Sequence, residues 1–335
     1  MQISPETQLF IREHQTDDVR ALALQARKYP NVDMPTAITQ IAGRQVAAEK
    51  IPSWRDTDDI WYPKHLSLEQ CSSEVTARYK ATLLKGNSLT DLTGGFGIDC
   101  AFLAAKFKSA TYVERQQELC EIAAHNFPIL NLNHINVKNE DGVSYLQAMS
   151  PVDCIFLDPA RRNEHGGKTV AISDCEPDVA ELEELLLNKA EQVMVKLSPM
   201  LDLSLALKEL QHVQEVHIIS ANNECKELLL ILGQASVEEI SIHCVNLPTR
   251  GTQEEQHFVF TREQEQCSEC NYTDTLENYL YEPNASLLKA GAFRSIASAF
   301  PVKKLHPNSH LYTSDVLVES FPGRAFHIIS QCSLN

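Results

Sequence analysis

Four acidic residues close four short apolar runs, in the order Asp91, Glu114, Asp141 and Asp158. The first is followed at once by Gly94, Gly95 and Gly97 in "DLTGGFGIDC". A strand that turns into a helix at the carboxyl edge of a parallel sheet is where such folds hold ligands. Glycines there let the backbone approach a ligand and take positive φ. Glu114, in "TYVER", stands about twenty residues on, where an acid accepts hydrogen bonds from ribose hydroxyls. Asp141, in "NEDGV", is placed to meet an adenine edge. Together the four strand ends point to a nucleoside ligand. The turn is not G-x-G-x-x-G, and Asp91 would repel a pyrophosphate, so a dinucleotide is disfavoured. A cationic or hydroxyl-bearing ligand suits Asp91 better. The bland alternative is that the glycines only make a tight turn.

The fourth run, "VDCIFLDPARRN" over residues 152–163, stops at Asp158, then Pro159, Arg161 and Arg162. A capping role would explain Asp158 alone. Pairing with nearby acids would explain the arginines, and exposed pairs of that kind contribute little.

These residues need a scaffold, and the periodicity supplies one. Strand-like runs fall at 89–92, 110–113, 135–138, 154–157, 192–196, 216–220 and 228–232. Helical stretches lie between the first five, at 100–106, 116–126, 142–148 and 178–189. Apolar strands alternating with helices predict an α/β fold, with a parallel sheet covered on both faces. The last two runs are separated only by "ANNECKE", which predicts an antiparallel pair at the sheet edge. Residues 1–85 read as a helical domain, with apolar residues at three- and four-residue spacing in "DDVRALALQARKY" and "MPTAITQIAGRQVAAEKI". "IPSWRDTDDIWYP" breaks it. "LSLEQCSSEVTARYKATLLKG" then predicts one helix, with Ser67 and Gln70 as a capping box and Gly86 as its stop. After residue 238, "ISIHCVNL" and "HFVFTRE" read as strands, followed by a helix and two short strands in a small α+β domain.

Composition narrows the classes. The chain of 335 residues has 43% hydrophobic content and a net charge of −16. That acidity lies in residues 81–275, net −16, whereas residues 1–80 carry −1 and residues 276–335 carry +1. An anionic partner would therefore dock on the flanks. No apolar run is long enough for a membrane span, and the N-terminus shows no signal peptide. The ten cysteines are mostly scattered in apolar segments, which predicts free thiols in a reducing cytoplasm. Cys267-x-x-Cys270 is half of a zinc motif with no second half, and is not expected to bind zinc alone.

At this point the chain resembles a class I S-adenosylmethionine-dependent methyltransferase. "DLTGGFGID" resembles motif I, "VER" the ribose-binding acid, "NED" the adenine-contacting motif and "LDPAR" motif IV. "DLTGGFGID…VER…LDP" is also similar to bacterial enzymes that methylate the guanine N2 amine of ribosomal RNA. "QCSSEVTARYKA", "YEPNASLLKAGAF" and "FPGRAF" resemble a bacterial methyltransferase family with ferredoxin-like and THUMP-like C-terminal domains. The resemblance implies a Rossmann-like seven-stranded methyltransferase sheet at 86–237, a helical domain at 1–85 and a ferredoxin-like domain at 238–320. It also implies the start of a truncated THUMP-like domain at 321–335.

By motif, the resemblance implies that Asp91, Thr93, Gly94, Gly95, Phe96 and Gly97 shape the cofactor pocket. Glu114 and Arg115 then stand at the ribose, and Asp141 and Gly142 at the adenine. Gln70 and Ser73 approach the cofactor's carboxylate end, although the cap is an equal account of Gln70. Asp158, with Pro159 and Arg161, forms the catalytic set. A carboxylate beside the sulfonium would accept a hydrogen bond from an amine that grows acidic as it attacks. Pyrimidine-C5 transfer needs a cysteine nucleophile, and none follows Pro159. Adenine-N6 enzymes usually show Asp/Asn-Pro-Pro-aromatic, which "DPAR" lacks. The expected substrate is a nitrogen of an RNA base, guanine favoured, in tRNA or rRNA. A small-molecule or protein methyltransferase and a non-catalytic binding protein on the same fold are the rivals, since fold does not settle substrate.

Overall fold

The computed structural model describes residues 3–161, 171–248 and 254–331. Two compact units divide the chain: Met1–Asp158 with Glu184–Val193, and Pro159–Glu183 with Met194–Asn335.

The first unit begins with helices Pro5–Glu13, Val19–Leu24 and Met34–Lys50. Ser4, Asp18 and Asp33 cap them by accepting backbone amides, which satisfies orphan donors of the first turn. Phe10, Leu22, Met34, Ala37 and Ile41 form their buried core. The "WYP" break is pinned by two side chains. Gln40 bonds both backbone groups of Tyr62, at 2.9 and 2.8 Å. Asn126 does the same for Trp61, at 2.8 and 2.9 Å.

The single helix expected over "LSLEQCSSEVTARYKATLLKG" is two helices, His65–Gln70 and Glu74–Leu83. Ser67 lies inside the first and is not a cap, so the capping box does not form. Ser73 is the cap of the second, accepting Thr76 N at 3.4 Å. Cys71 and Ser73 are extended, with ψ of 159° and 157°; serine side chains compete for backbone groups and break helices in this way.

The sheet strands are β1 (Ser88–Asp91), β2 (Ser109–Glu114), β3 (Ile135–Asn139), β4 (Val152–Leu157), β5 (Ala190–Leu197), β6 (Val213–Ala221), β7 (Glu224–Gly233), β8 (Ser241–Leu247) and β9 (Gln256–Phe260). In the first unit their order is β3-β2-β1-β4-β5, and β5 is divided between the units after Val193. The pairs β1–β2, β1–β4 and β2–β3 are parallel. Asp91 stands level with Tyr112 on one side and Phe156 on the other. That register carries Thr93 level with Glu114 and Asp158, two residues further along each neighbour.

In the second unit the order is β5-β7-β6-β8-β9. The antiparallel pair β6–β7 forms as expected. It is not the sheet edge: β8 runs parallel to β6, and β9 pairs antiparallel with β8. "ISIHCVNL" and "HFVFTRE", expected in the small domain, thus extend the large sheet. Their buried residues Ile242, Cys244, Val245, Leu247 and Phe260 explain why: an apolar strand is stable where both its ladder and its face are covered. A separate four-stranded antiparallel sheet holds Tyr279–Pro283 between Tyr312–Ser314 and Gly323–His327, with Lys303–Lys304 outermost.

Candidate active site

The turn after β1 is built from its own acids and glycines. Asp91 is fully buried at the strand end. Its Oδ1 accepts Thr93 N at 3.0 Å, and its buried Oδ2 has no hydrogen-bond partner among the described residues. Burial pushes its carboxyl well above the usual range, and Asp99, Asp158 and Glu114 add to the rise. An unpaired buried acceptor costs about 1–3 kcal/mol or more, so such a group calls for a partner.

Glycine is required at three points. Gly95 has φ +54 and Gly97 φ +89, the latter opening the helix Ile98–Ala104. A Cβ on Gly94 would lie 2.2 Å from the Tyr112 ring, whereas one on Gly95 meets nothing closer than 3.8 Å. Gly95 therefore faces open space and Gly94 does not. Glu114, 8% exposed at the end of β2, bonds back across the turn. Its Oε2 accepts Gly95 N at 2.9 Å and its Oε1 accepts Gln116 N at 2.8 Å. Each oxygen keeps a second lone pair for a hydroxyl donor. Tyr112 completes the turn by donating its hydroxyl to Gly95 O at 2.5 Å.

On the other side, Asp158 donates its backbone N–H to Thr93 Oγ1 at 2.6 Å. Its carboxylate is near enough to Asp91 to raise that group's pKa. Asp91, Thr93, Gly95, Glu114 and Asp158 thus share one carboxyl-edge cluster. Asp141 is exposed and caps Gly142–Ala148, its Oδ1 accepting Ser144 N and Oγ at 2.9 and 3.1 Å. Gly142 lets that helix sit on β1: a Cβ there would stand 2.3 Å from Leu92 O. Arg115 is exposed, and its carbonyl accepts Asn139 Nδ2 at 3.1 Å.

The other expected residues have different surroundings. Phe96 is 3% exposed and packs edge-on against Trp54 at 5.1 Å, so its ring belongs to the core. Gln70 is exposed at the end of its helix, and Ser73 is engaged as a cap. Pro159 is buried. The Arg161 side chain and all of Arg162 lie outside the described residues.

A buried ion pair behind motif I was missed. Lys80 is fully buried, and its Nζ lies 3.0 Å from Asp99 Oδ1 and 2.9 Å from Ser72 Oγ. Ser72 Oγ donates to Asp99 Oδ2 at 2.7 Å. The available signal was a lysine among the helix's buried positions Thr76, Ala77 and Ala81. A lysine there demands an acid, and Asp99 stands at the end of "GGFGID".

With Asp91, Glu114 and Asp158 gathered at the carboxyl edge and Asp91 Oδ2 orphaned among the described residues, the residues fit a ligand that brings positive charge and hydroxyl donors. S-adenosylmethionine has both.

Comparison with known proteins gives a consistent answer. The profile of a family described as protein-L-isoaspartate(D-aspartate) O-methyltransferase matches residues 49–163. A ferredoxin-like domain profile matches residues 279–322. A crystal structure of a protein from Porphyromonas gingivalis W83, classed as a methyltransferase, superimposes with a TM-score of 0.85. It is 36% identical, and the match covers 97% of this chain and 81% of that one. An uncharacterized RNA methyltransferase of Mycoplasma mobile is 36% identical over 76 residues, 22% of this chain. The chain spans 21% of the length of that curated relative. Among the described residues no helix is long and apolar enough to cross a membrane.

Proposed function

The chain belongs to the class I methyltransferase family of its Porphyromonas gingivalis relative, and we propose that it methylates a nitrogen of a base in structured RNA, guanine favoured, using S-adenosylmethionine in the cytoplasm. The observation that carries the reading is the clustering of Asp91, Gly95, Glu114 and Asp158 around Thr93. When bound, S-adenosylmethionine supplies a methyl carbon activated by a sulfonium.

The chain's own residues do the rest. Asp91 and the glycine turn hold the cationic and hydroxyl-bearing parts, and Gly95 gives them room. Glu114 receives ribose hydroxyls while keeping the Gly95 amide in place. Asp141 and Gly142 stand at the adenine, with Arg115 beside the ribose-binding acid. Asp158 accepts a hydrogen bond from the attacking amine and stabilises its developing positive charge. Thr93 fixes the Asp158 backbone, so that carboxylate is oriented before substrate arrives, which contributes to lowering the barrier by positioning. Pro159 and Arg161 complete the catalytic set. RNA recognition falls to the near-neutral flanks, because the middle carries the negative charge.

A protein or small-molecule acceptor is the second reading, favoured by the net charge of −16. One experiment separates the two: transfer of radiolabelled methyl from S-adenosylmethionine to total RNA, with protein and small-molecule pools as parallel acceptors. Label in RNA that disappears in Asp158→Ala supports the proposal. Label in protein alone overturns the RNA assignment, and no cofactor binding by calorimetry overturns the enzyme.

A further inference from the structure

The methyltransferase reading makes no use of a group of histidines in the second unit. Glu215 and His217 lie two apart on β6, so their side chains leave the same face. His217 stands level with His243 on the parallel neighbour β8. On β9, His257 pairs with Val245 and Val259 pairs with His243. Paired residues share a face, so His257 is diagonal to His243 on that same side. Three strands thus bring one carboxylate and three imidazoles together.

Their donor atoms converge. Glu215 Oε2 is 3.1 Å from His217 Nε2, and His243 Nδ1 is 3.2 Å from His257 Nε2. Glu215, His217 and His243 each present a donor atom such that the three lie within 4.8 Å of one another. Around a tetrahedral zinc ion with bonds of about 2.0–2.1 Å, neighbouring donors stand about 3.3 Å apart. Both observed pairs match that spacing. The connection between the pairs is looser, but the Glu215 side chain is 47% exposed and His257 is exposed, so both are free of the core packing that would hold them apart.

We propose that Glu215, His217, His243 and His257 form a binding site for one divalent transition-metal ion of the zinc class. Imidazole nitrogen with one carboxylate oxygen is a donor set for zinc, nickel or copper and not for magnesium, which prefers oxygen donors. A ligating histidine must be neutral. Ser241 Oγ lies 3.1 Å from His243 Nε2, leaving Nδ1 toward the site and supplying the outer partner that metal-bound histidines usually have. The bound ion would tie β6, β8 and β9 together across the sheet face.

The test uses the full chain without an affinity tag, titrated with Zn²⁺ and separately with Mg²⁺ by calorimetry. Thermal unfolding is followed in parallel. Cys267 and Cys270 are the competing ligands, so Cys267→Ser/Cys270→Ser is the control. One Zn²⁺ per chain, no heat with Mg²⁺ and a raised Tm with Zn²⁺ are expected. Glu215→Gln and His257→Ala, at exposed positions that leave the fold intact, weaken Zn²⁺ by about 10–100-fold or more, on the scale of losing a metal's supporting partner. The cysteine control binds as the parent does. Absence of saturable Zn²⁺ binding overturns the site, and so does binding lost only in the cysteine variant.

Discussion

Glu114 accepts the backbone amide of Gly95 at 2.9 Å across the turn that follows the first strand. The residue expected to hold a ribose is therefore also a structural clasp on the loop that would meet the rest of the cofactor. Its second oxygen holds Gln116 N at 2.8 Å. Removing the carboxylate in Glu114→Ala leaves two amides without their acceptor. Hydrogen bonds to a charged group contribute about 1.5–3 kcal/mol each, so a stability loss of about 3–6 kcal/mol is expected in urea unfolding. Cofactor affinity measured by calorimetry should fall with it. Unchanged values for both would remove Glu114 from the site.

Two glycines in the same region should respond differently to alanine. At Gly142 a Cβ meets the Leu92 carbonyl at 2.3 Å, and backbone cannot step aside. Gly142→Ala is expected to cost about 1–3 kcal/mol through overpacking. Gly95 faces open space at φ +54, so Gly95→Ala incurs only left-handed strain of about 1–2 kcal/mol. It should fold and lose cofactor affinity. A crystal structure or binding curve showing Gly95→Ala saturated as readily as the parent would argue against a ligand on that face.

Asp91 sets a pH dependence. Its folded pKa is raised above the ordinary 3.8, so the folded state holds the proton more tightly than the unfolded chain. Stability from this group is present below the unfolded pKa and is lost as pH rises toward the folded value. Asp91→Asn removes that loss. The variant should gain stability relative to the parent as pH rises above the ordinary aspartate range of about 4. It should also bind S-adenosylmethionine more weakly. A parent-minus-variant stability difference that stays flat as pH rises would contradict the assignment.

Lys80 and Asp99 form a pair in which the lysine is fully buried. Lys80→Met leaves a carboxylate beside motif I without its cation, at an expected cost of about 3–5 kcal/mol. Lys80→Met with Asp99→Asn should recover most of it. A double-mutant cycle by chemical denaturation reads the coupling directly, and additive losses would show that the pair does not act as one.

Asp158→Asn keeps the backbone N–H that bonds Thr93 Oγ1 and removes the negative charge. The fold and cofactor affinity are expected to persist while methyl transfer falls about 10²–10³-fold, the usual loss for one preorganised electrostatic group. Single-turnover transfer measures it; a rate within a factor of two of the parent would assign the role to another residue.

The sequence made the scaffold readable because the strands of a covered parallel sheet are apolar on both faces. The seven runs from residue 89 to residue 232 all became strands, since no other element buries "DCIFL" or "ELLLIL" so fully. It misread Ser67 and Ser73, because a cap is defined by where the backbone leaves the helix, and two serines six residues apart offer the same local chemistry. It also placed β8 and β9 in the small domain. Strand pairing across a change of texture is set by which ladder is open, and that information is not local.

The chain's own order of residues determined the acids and glycines at successive strand ends, since strand length and turn chemistry are local properties. Folding alone decided their partners. Only the parallel register puts Glu114 and Asp158 level with Thr93, turns Phe96 into the core, and buries Lys80 against Asp99. The reason is physical: a hydrogen bond or ion pair depends on distance through space, and residues 19 to 65 positions apart acquire that distance only when the sheet forms.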